Sequence, residues 1–168
     1  MPAQIDEIQR YDADPATVFA MLSDETFIIY KCEQSASLDV VAKVQPDGEN
    51  IRIHNRRVLP AKVPSYVKKF LGDTIPLDET QFWTQADENG SRTATFDVDF
   101  DGQPLKFSGT ITLQPDGDGT AVRTRGPIKC SVPLIGGKVE SFAAGWIGKY
   151  LAKEQKVGAQ WLADHAGP

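Results

Sequence analysis

Histidine and cysteine are scarce in this chain, two of each among 168 residues. A zinc site takes three or four ligands at suitable spacing, and Cys32 and Cys130 form no Cys-x-x-Cys pair. The metal reading fails on numbers, and both thiols read as packing residues. Positive charge is short too: 18 Lys and Arg against 23 Asp and Glu leave a net charge of −5. That balance argues against a nucleic-acid partner, whose footprint is a basic surplus. No apolar run approaches the ~20 residues that cross a bilayer, so stable membrane insertion is not expected. Phosphate loops are missing: Gly136-Gly137 follows Pro133 without a GxGxxG or GKS pattern. No nucleophile has a plausible histidine partner nearby in sequence. The opening MPAQIDEIQRYDAD is acidic where a signal peptide is basic and then apolar, so a cytoplasmic location is expected. No cofactor is expected.

What is present is ordinary globular composition, 40% apolar and 24% charged. The length suits a single domain over residues 1–168, with no linker or internal repeat. Residues 4–11 read as a strand. Asp14 then caps a helix that has Pro15 at its first position, and Asp24 starts a second short helix through Phe27, Ile28 and Tyr30.

From Leu38 the period switches to two. Runs through Val44, from Ile51 to Leu59, from Ile75 to Trp83, through Phe96 to Phe100, from Leu105 to Leu113 and from Val122 to Ile128 are separated by Pro, Asp, Asn and Gly turns. This is the pattern of an antiparallel meander. Residues 64–72 interrupt it, with Pro64 and Ser65 opening a short helix and Gly72 closing it. From Gly136 onward Val139, Phe142, Ala143, Trp146, Tyr150, Val157 and Trp161 fall within an arc of about 100°, the stripe of a long amphipathic helix.

A sheet with one apolar face needs a cover, and only the last helix is long enough. The predicted fold is therefore α+β: a curved antiparallel sheet of about seven strands around a long C-terminal helix, with two short helices after the first strand. Aromatic side chains of both layers would meet across a cavity of at least ~300 Å³, the lower end for ligand pockets.

The run Pro15-Ala16-Thr17-Val18-Phe19-Ala20-Met21-Leu22-Ser23-Asp24 resembles the opening signature of the START-like (SRPBCC, helix-grip) superfamily. Phe70-Leu71-Gly72-Asp73 and Ser131-Val132-Pro133-Leu134-Ile135-Gly136-Gly137-Lys138 resemble a subfamily known only as a domain of unknown function. The resemblance runs along essentially the whole chain. It implies the helix-grip fold and a deep apolar pocket, and it brings no established catalytic residues. Superfamily members bind lipids, sterols and polyketides, act as cyclases, or serve as co-chaperones, and fold alone does not choose among these.

The informative polar residues share the apolar side of a strand. Asn55 and Arg57 are in register with Ile51 and Ile53; Glu79 and Gln81 are in register with Leu77 and Trp83. If these strands pair, Arg57 and Glu79 meet inside. They read either as the polar end of a pocket, with Arg57 receiving a ligand carboxylate or hydroxyl, or as a satisfied ion pair. Leu77, Trp83, Phe96, Val98, Phe107, Ile111, Phe142, Trp146 and Tyr150 complete the predicted lining, with Tyr66, Val67 and Phe70 at the mouth on a helix that is either a lid or a static plug. Glu79 is the one candidate general base, on the expectation that burial raises its pKa. His54 alternates out of the apolar set and is expected to face solvent. Ser141, Gly145, Gly148, Ala152 and Ala159 form a stripe of small residues on the outer face of the last helix, where a homodimer could form.

The leading expectation is a protein that binds or carries a small, mostly apolar ligand (lipid, isoprenoid or polyketide-like). A cyclase or dehydratase would need Glu79, Arg57 and Tyr150 to converge. A co-chaperone-like interaction module would need a sizeable exposed apolar patch.

Overall fold

Period-two alternation becomes seven strands, and the 3.6-residue stripe becomes the helix they enclose. The computed structural model describes residues 2–60 and 62–166, with the backbone alone at Phe70 and Leu71. Strand β1 (Ala3–Tyr11) leads into helices α1 (Pro15–Leu22) and α2 (Glu25–Gln34). The meander follows: β2 (Leu38–Asp47), β3 (Asn50–Pro60), helix α3 (Ser65–Leu71), β4 (Thr74–Trp83), β5 (Arg92–Asp99), β6 (Leu105–Asp116) and β7 (Gly119–Cys130). Helix α4 (Gly136–Asp164) closes the chain. Strand order is β1-β7-β6-β5-β4-β3-β2. The chain thus crosses the sheet once, through α1 and α2, then returns hairpin by hairpin until β7 pairs with β1.

The helix ends carry the predicted signals. Asp14 Oδ1 accepts from the Thr17 amide at 2.7 Å, and Asp24 Oδ1 accepts from the Thr26 amide at 2.8 Å. Gly72 ends α3 with φ 78°, a backbone that a side chain would strain.

Curvature has a local cause. Gly109 of β6 lies opposite Gly126 of β7, and a Cβ on Gly109 would sit 1.9 Å from the Arg125 carbonyl oxygen. Only a glycine pair lets these strands bend so closely. The concave face then receives α4, whose Val139, Ala143 and Ile147 are buried. Near its end a Cβ on Gly158 would stand 2.7 Å from the Tyr11 ring, so α4 lies tightly on β1.

Both sheet edges are occupied or broken, which blunts edge-to-edge pairing. On β1 the Arg10 amide donates to Gln155 Oε1 of α4 at 2.8 Å. On β2 the Val44 amide donates to Glu25 Oε2 at 2.7 Å, Pro46 has no amide to offer, and a bulge lies between Leu38 and Val41. The small-residue stripe of α4 is also less open than its spacing suggests. Gly148 faces β1, where its Cβ would lie 3.2 Å from Glu7 Oε1, while Gly145 has open space beside it.

Candidate functional site

The two inward strands pair as their order implies. Asn55 of β3 stands opposite Glu79 of β4, and Arg57 stands opposite Leu77. Each of these side chains enters the grip because its strand neighbours on the same parity, Ile53 and Leu59, are buried core residues. Arg57 Nη1 donates to Glu79 Oε1 at 3.2 Å and also to Asn55 Oδ1. Gln81 Nε2 donates to Glu79 Oε2 at 2.6 Å, and the Trp83 indole N–H donates to Gln81 Oε1 at 2.8 Å. One hydrogen-bonded string therefore runs across β3 and β4 from Trp83 to Asn55.

A second ion pair, which sequence reasoning missed, faces it from the helices. Lys31 of α2 pairs with Glu154 of α4, and Gln9 Nε2 of β1 donates to the other carboxylate oxygen of Glu154 at 2.6 Å. Gln9 Nε2 also donates to the Leu151 carbonyl at 2.9 Å, tying β1 to α4. The signal for Glu154 was present: it follows Tyr150 by four residues, at the edge of the aromatic stripe. Lys31 likewise follows Phe27 by four on α2. Both were passed over because charged helix residues usually lie on the solvated face.

Between the pairs stands Tyr150. The Arg57 guanidinium lies 5.4 Å from its ring centroid, a cation–π contact, and its hydroxyl reaches Cys32 Sγ at 3.8 Å. Burial pushes the Tyr150 pKa up, so it keeps its proton and can donate. Burial works against the charge on Lys31, but Glu154, with smaller contributions from Tyr150, Cys32 and Glu79, outweighs it and holds the ammonium above its ordinary value. Burial would also raise Glu79; instead Arg57 and Lys31, with the Gln81 hydrogen bond, pull it below its ordinary value. The expected raised pKa is therefore overturned. Glu79 remains an ion-paired carboxylate, a weak base. Arg57, Glu79 and Tyr150 do converge, but as a neutralised cluster.

The interior is also more filled than expected. The void at its centre is about 80 Å³, not the ~300 Å³ that a ligand pocket of ordinary size would have. Aromatic rings take the space: Phe96 and Phe107 meet edge to face at 4.7 Å, and Trp146 and Tyr150 stack at 6.2 Å. Arg57, Leu77, Glu79, Gln81, Phe96 and Val98 line this void, with Phe107, Ile111, Trp146 and Tyr150. Lys31, Phe100, Thr124, Ile147, Leu151 and Glu154 also line it and were not foreseen.

Two smaller voids flank it. One of about 30 Å³ lies towards α3, walled by Leu59, Val67, Phe142 and Trp146. The other, about 40 Å³, lies among Lys31, Asn55, Gln81, Trp83 and Glu154. Of the predicted mouth residues, Val67 is buried against the first of these, Tyr66 is half-buried against the core, and the Phe70 side chain lies outside the described residues. Larger hollows of about 710 and 620 Å³ are open surface grooves, one at the start of α4 and one between α1 and the end of α4.

Outside the grip, His54 Nε2 lies 2.8 Å from Asp78 Oδ1 on the outer sheet face, as expected. The exposed large apolar side chains Ile8, Tyr30, Phe82, Leu134 and the Leu38–Val41 pair are spread over separate parts of the fold. Among the described residues no cluster of His, Cys, Asp and Glu suits a metal ion, and no helix is long and apolar enough to cross a membrane.

A family model described as a protein of unknown function, DUF2505, matches residues 6–162. The chain belongs to the DUF2505 family. No curated protein sequence matches it. Solved structures do. TTHA0849 from Thermus thermophilus superposes with a TM-score of 0.66 at 15% identity, covering 98% of this chain and 100% of that one. A STAR-related lipid transfer protein from Xanthomonas axonopodis gives 0.57 at 18% identity, over 94% and 84% of the two chains. Human STARD10 gives 0.62 at 8% identity, over 98% and 68%. At such identities the likeness is one of fold, and this DUF2505 protein has the START-like fold.

Proposed function

We propose that this DUF2505 protein binds a small, mostly apolar molecule inside the grip. The observation that carries the reading is Arg57. It is 5% exposed, and its Nε finds no hydrogen-bond partner among the described residues, although the side chain borders a void. An orphaned donor costs about 1–3 kcal/mol, and a buried ion pair is seldom more stable than the apolar side chains that could replace it. A fold that needed only a core would have no use for four charges at its centre. A ligand acceptor would complete the set.

The two STAR-named structures share the architecture, which supports a ligand in this place. The void of about 80 Å³ is smaller than the ~150 Å³ engineered cavity that takes benzene. Binding therefore requires the lining to move, and Trp146, with Phe100 and Ile147, walls both the central and the α3-side voids and forms the partition between them.

Native mass spectrometry of the purified protein, followed by solvent extraction, tests the reading. A discrete apolar compound at near-stoichiometric amount is expected. Ligand-free protein that also gains no mass from added eight-carbon alcohols would end it.

A further inference from the structure

The charge inventory of the interior says what kind of head group the ligand carries. The four ionised side chains on the central void are Lys31, Arg57, Glu79 and Glu154. They form two pairs, Arg57 with Glu79 and Lys31 with Glu154, so the lining carries two positive and two negative charges. A ligand carboxylate entering here would bring an unmatched negative charge beside Glu79 and Glu154. An ammonium would do the same beside Arg57 and Lys31. In a low-dielectric enclosure either excess is costly. A hydroxyl or carbonyl adds no charge, and it offers the acceptor that Arg57 Nε lacks.

The three voids also differ along the grip. The one towards α3 is walled by apolar side chains such as Leu59, Val67 and Phe142. The central one is mixed, and the one beside α2 adds Lys31, Asn55, Gln81 and Glu154 to apolar walls such as Ile28 and Ile53. That gradient orients an amphiphile with its head inward and its tail towards α3. We infer that the ligand is an uncharged amphiphile, an alcohol, ketone or ester with an apolar tail, held head-inward against the Arg57–Glu79 and Lys31–Glu154 pairs. This rests on the carrier reading above and narrows it.

The test titrates the protein at pH 7.5 with four probes that share an eight-carbon chain: 1-octanol, methyl octanoate, octanoate and octylammonium, read by calorimetry and by tryptophan fluorescence. Octanol and methyl octanoate are expected to bind within a few-fold of each other and at least tenfold more tightly than either ion. The ester decides the matter, because it keeps the chain and both oxygens of octanoate and replaces the charge with a methyl group, whose added apolar surface is worth only about fivefold in affinity, or about 1 kcal/mol. Glu79→Gln removes one negative charge from the lining, and is expected to raise octanoate affinity at least tenfold while leaving octylammonium weak. Octanoate or octylammonium binding to the unaltered protein as tightly as the ester overturns the inference and leaves the carrier reading intact. Binding of none of the four removes both.

Discussion

The two halves of the grip interior are built on opposite principles. Towards α3 the walls are Leu59, Val67, Ile75, Phe142 and Trp146, an apolar lining that contributes stability by leaving water. Beside α2, among Leu22, Ile28, Ile53, Trp83 and Ile111, stand Lys31, Asn55, Gln81 and Glu154, polar groups that must find partners to be tolerated at all. The apolar half needs no ligand to explain it. Under the proposed function the polar half takes its purpose from a ligand, because its hydrogen bonds and ion pairs offset their own desolvation without leaving a surplus.

Breaking one ion pair sharpens that contrast most. Lys31→Met leaves Glu154 buried with only Gln9 for company, and a loss of about 3–5 kcal/mol in urea unfolding is expected. Replacing both partners, as in Lys31→Met with Glu154→Leu, is expected to return stability to within about 1 kcal/mol of the parent or above it. Gln9 keeps the Leu151 carbonyl in that variant. No single partner change can rescue Leu59→Ala on the apolar side, where about 2–5 kcal/mol goes with the lost contacts and the cavity. A double variant as unstable as the single one would mean that the pair holds α2 on α4, and the functional reading of the polar half would fall.

Acid and alkali probe the same half. Glu79 sits below its ordinary value of 4.5 in the fold, so the unfolded chain takes up that proton first. Its contribution is complete above about pH 4.5 and is lost as pH falls through the folded pKa. Tyr11 and Tyr150 are pushed above their ordinary value of 10.0, chiefly by burial, so the unfolded chain releases those protons first. Their contribution is complete below about pH 10 and is lost above it. Lys31, raised against the effect of its burial by Glu154 together with Tyr150, Cys32 and Glu79, acts in the same direction from 10.5 upward. Urea midpoints should therefore be flat between about pH 5 and 10 and fall on both sides, with Glu79→Gln softening the acid limb alone. An acid limb unchanged in that variant would show that Glu79 is not held by its cations.

Much of the apolar half is legible in sequence, because burial there follows simple periods. Alternation placed Ile53, Leu59 and Leu77, and the helical stripe placed Val139 and Ala143 on the buried side of α4. The same parity placed Arg57 against Glu79, since a strand points every second residue one way whatever its chemistry. Lys31 and Glu154 were missed for a different reason: each lies on a helix, where a charged residue at the edge of an apolar stripe ordinarily snorkels to water. What turned them inward was each other, a contact between α2 and α4 that neither period encodes. The void's size was equally hidden. It depends on how Trp146, Tyr150, Phe96 and Phe107 tilt against one another, and the same residues in other rotamers would leave a larger space. Gly148 shows the converse error, a residue on the outer side by angle that β1 nonetheless covers through Glu7.

Tyr150 offers the smallest and cleanest separation of the two halves' roles. Its ring belongs to the packed aromatic set, stacked on Trp146 and lying under Arg57, while its hydroxyl has only the long contact to Cys32 Sγ. Tyr150→Phe keeps the ring and removes the oxygen. Because the hydroxyl contributes so little bonding to the fold, stability is expected to change by less than about 1 kcal/mol. A hydroxyl kept protonated at the edge of a void is free to donate to a ligand oxygen, and losing one such bond weakens octanol binding by roughly two- to tenfold. Unfolding and titration of the same variant thus separate the alternatives. Affinity falling while stability holds assigns the oxygen to the ligand; stability falling while affinity holds returns Tyr150 to the core and makes the polar half a structural feature after all.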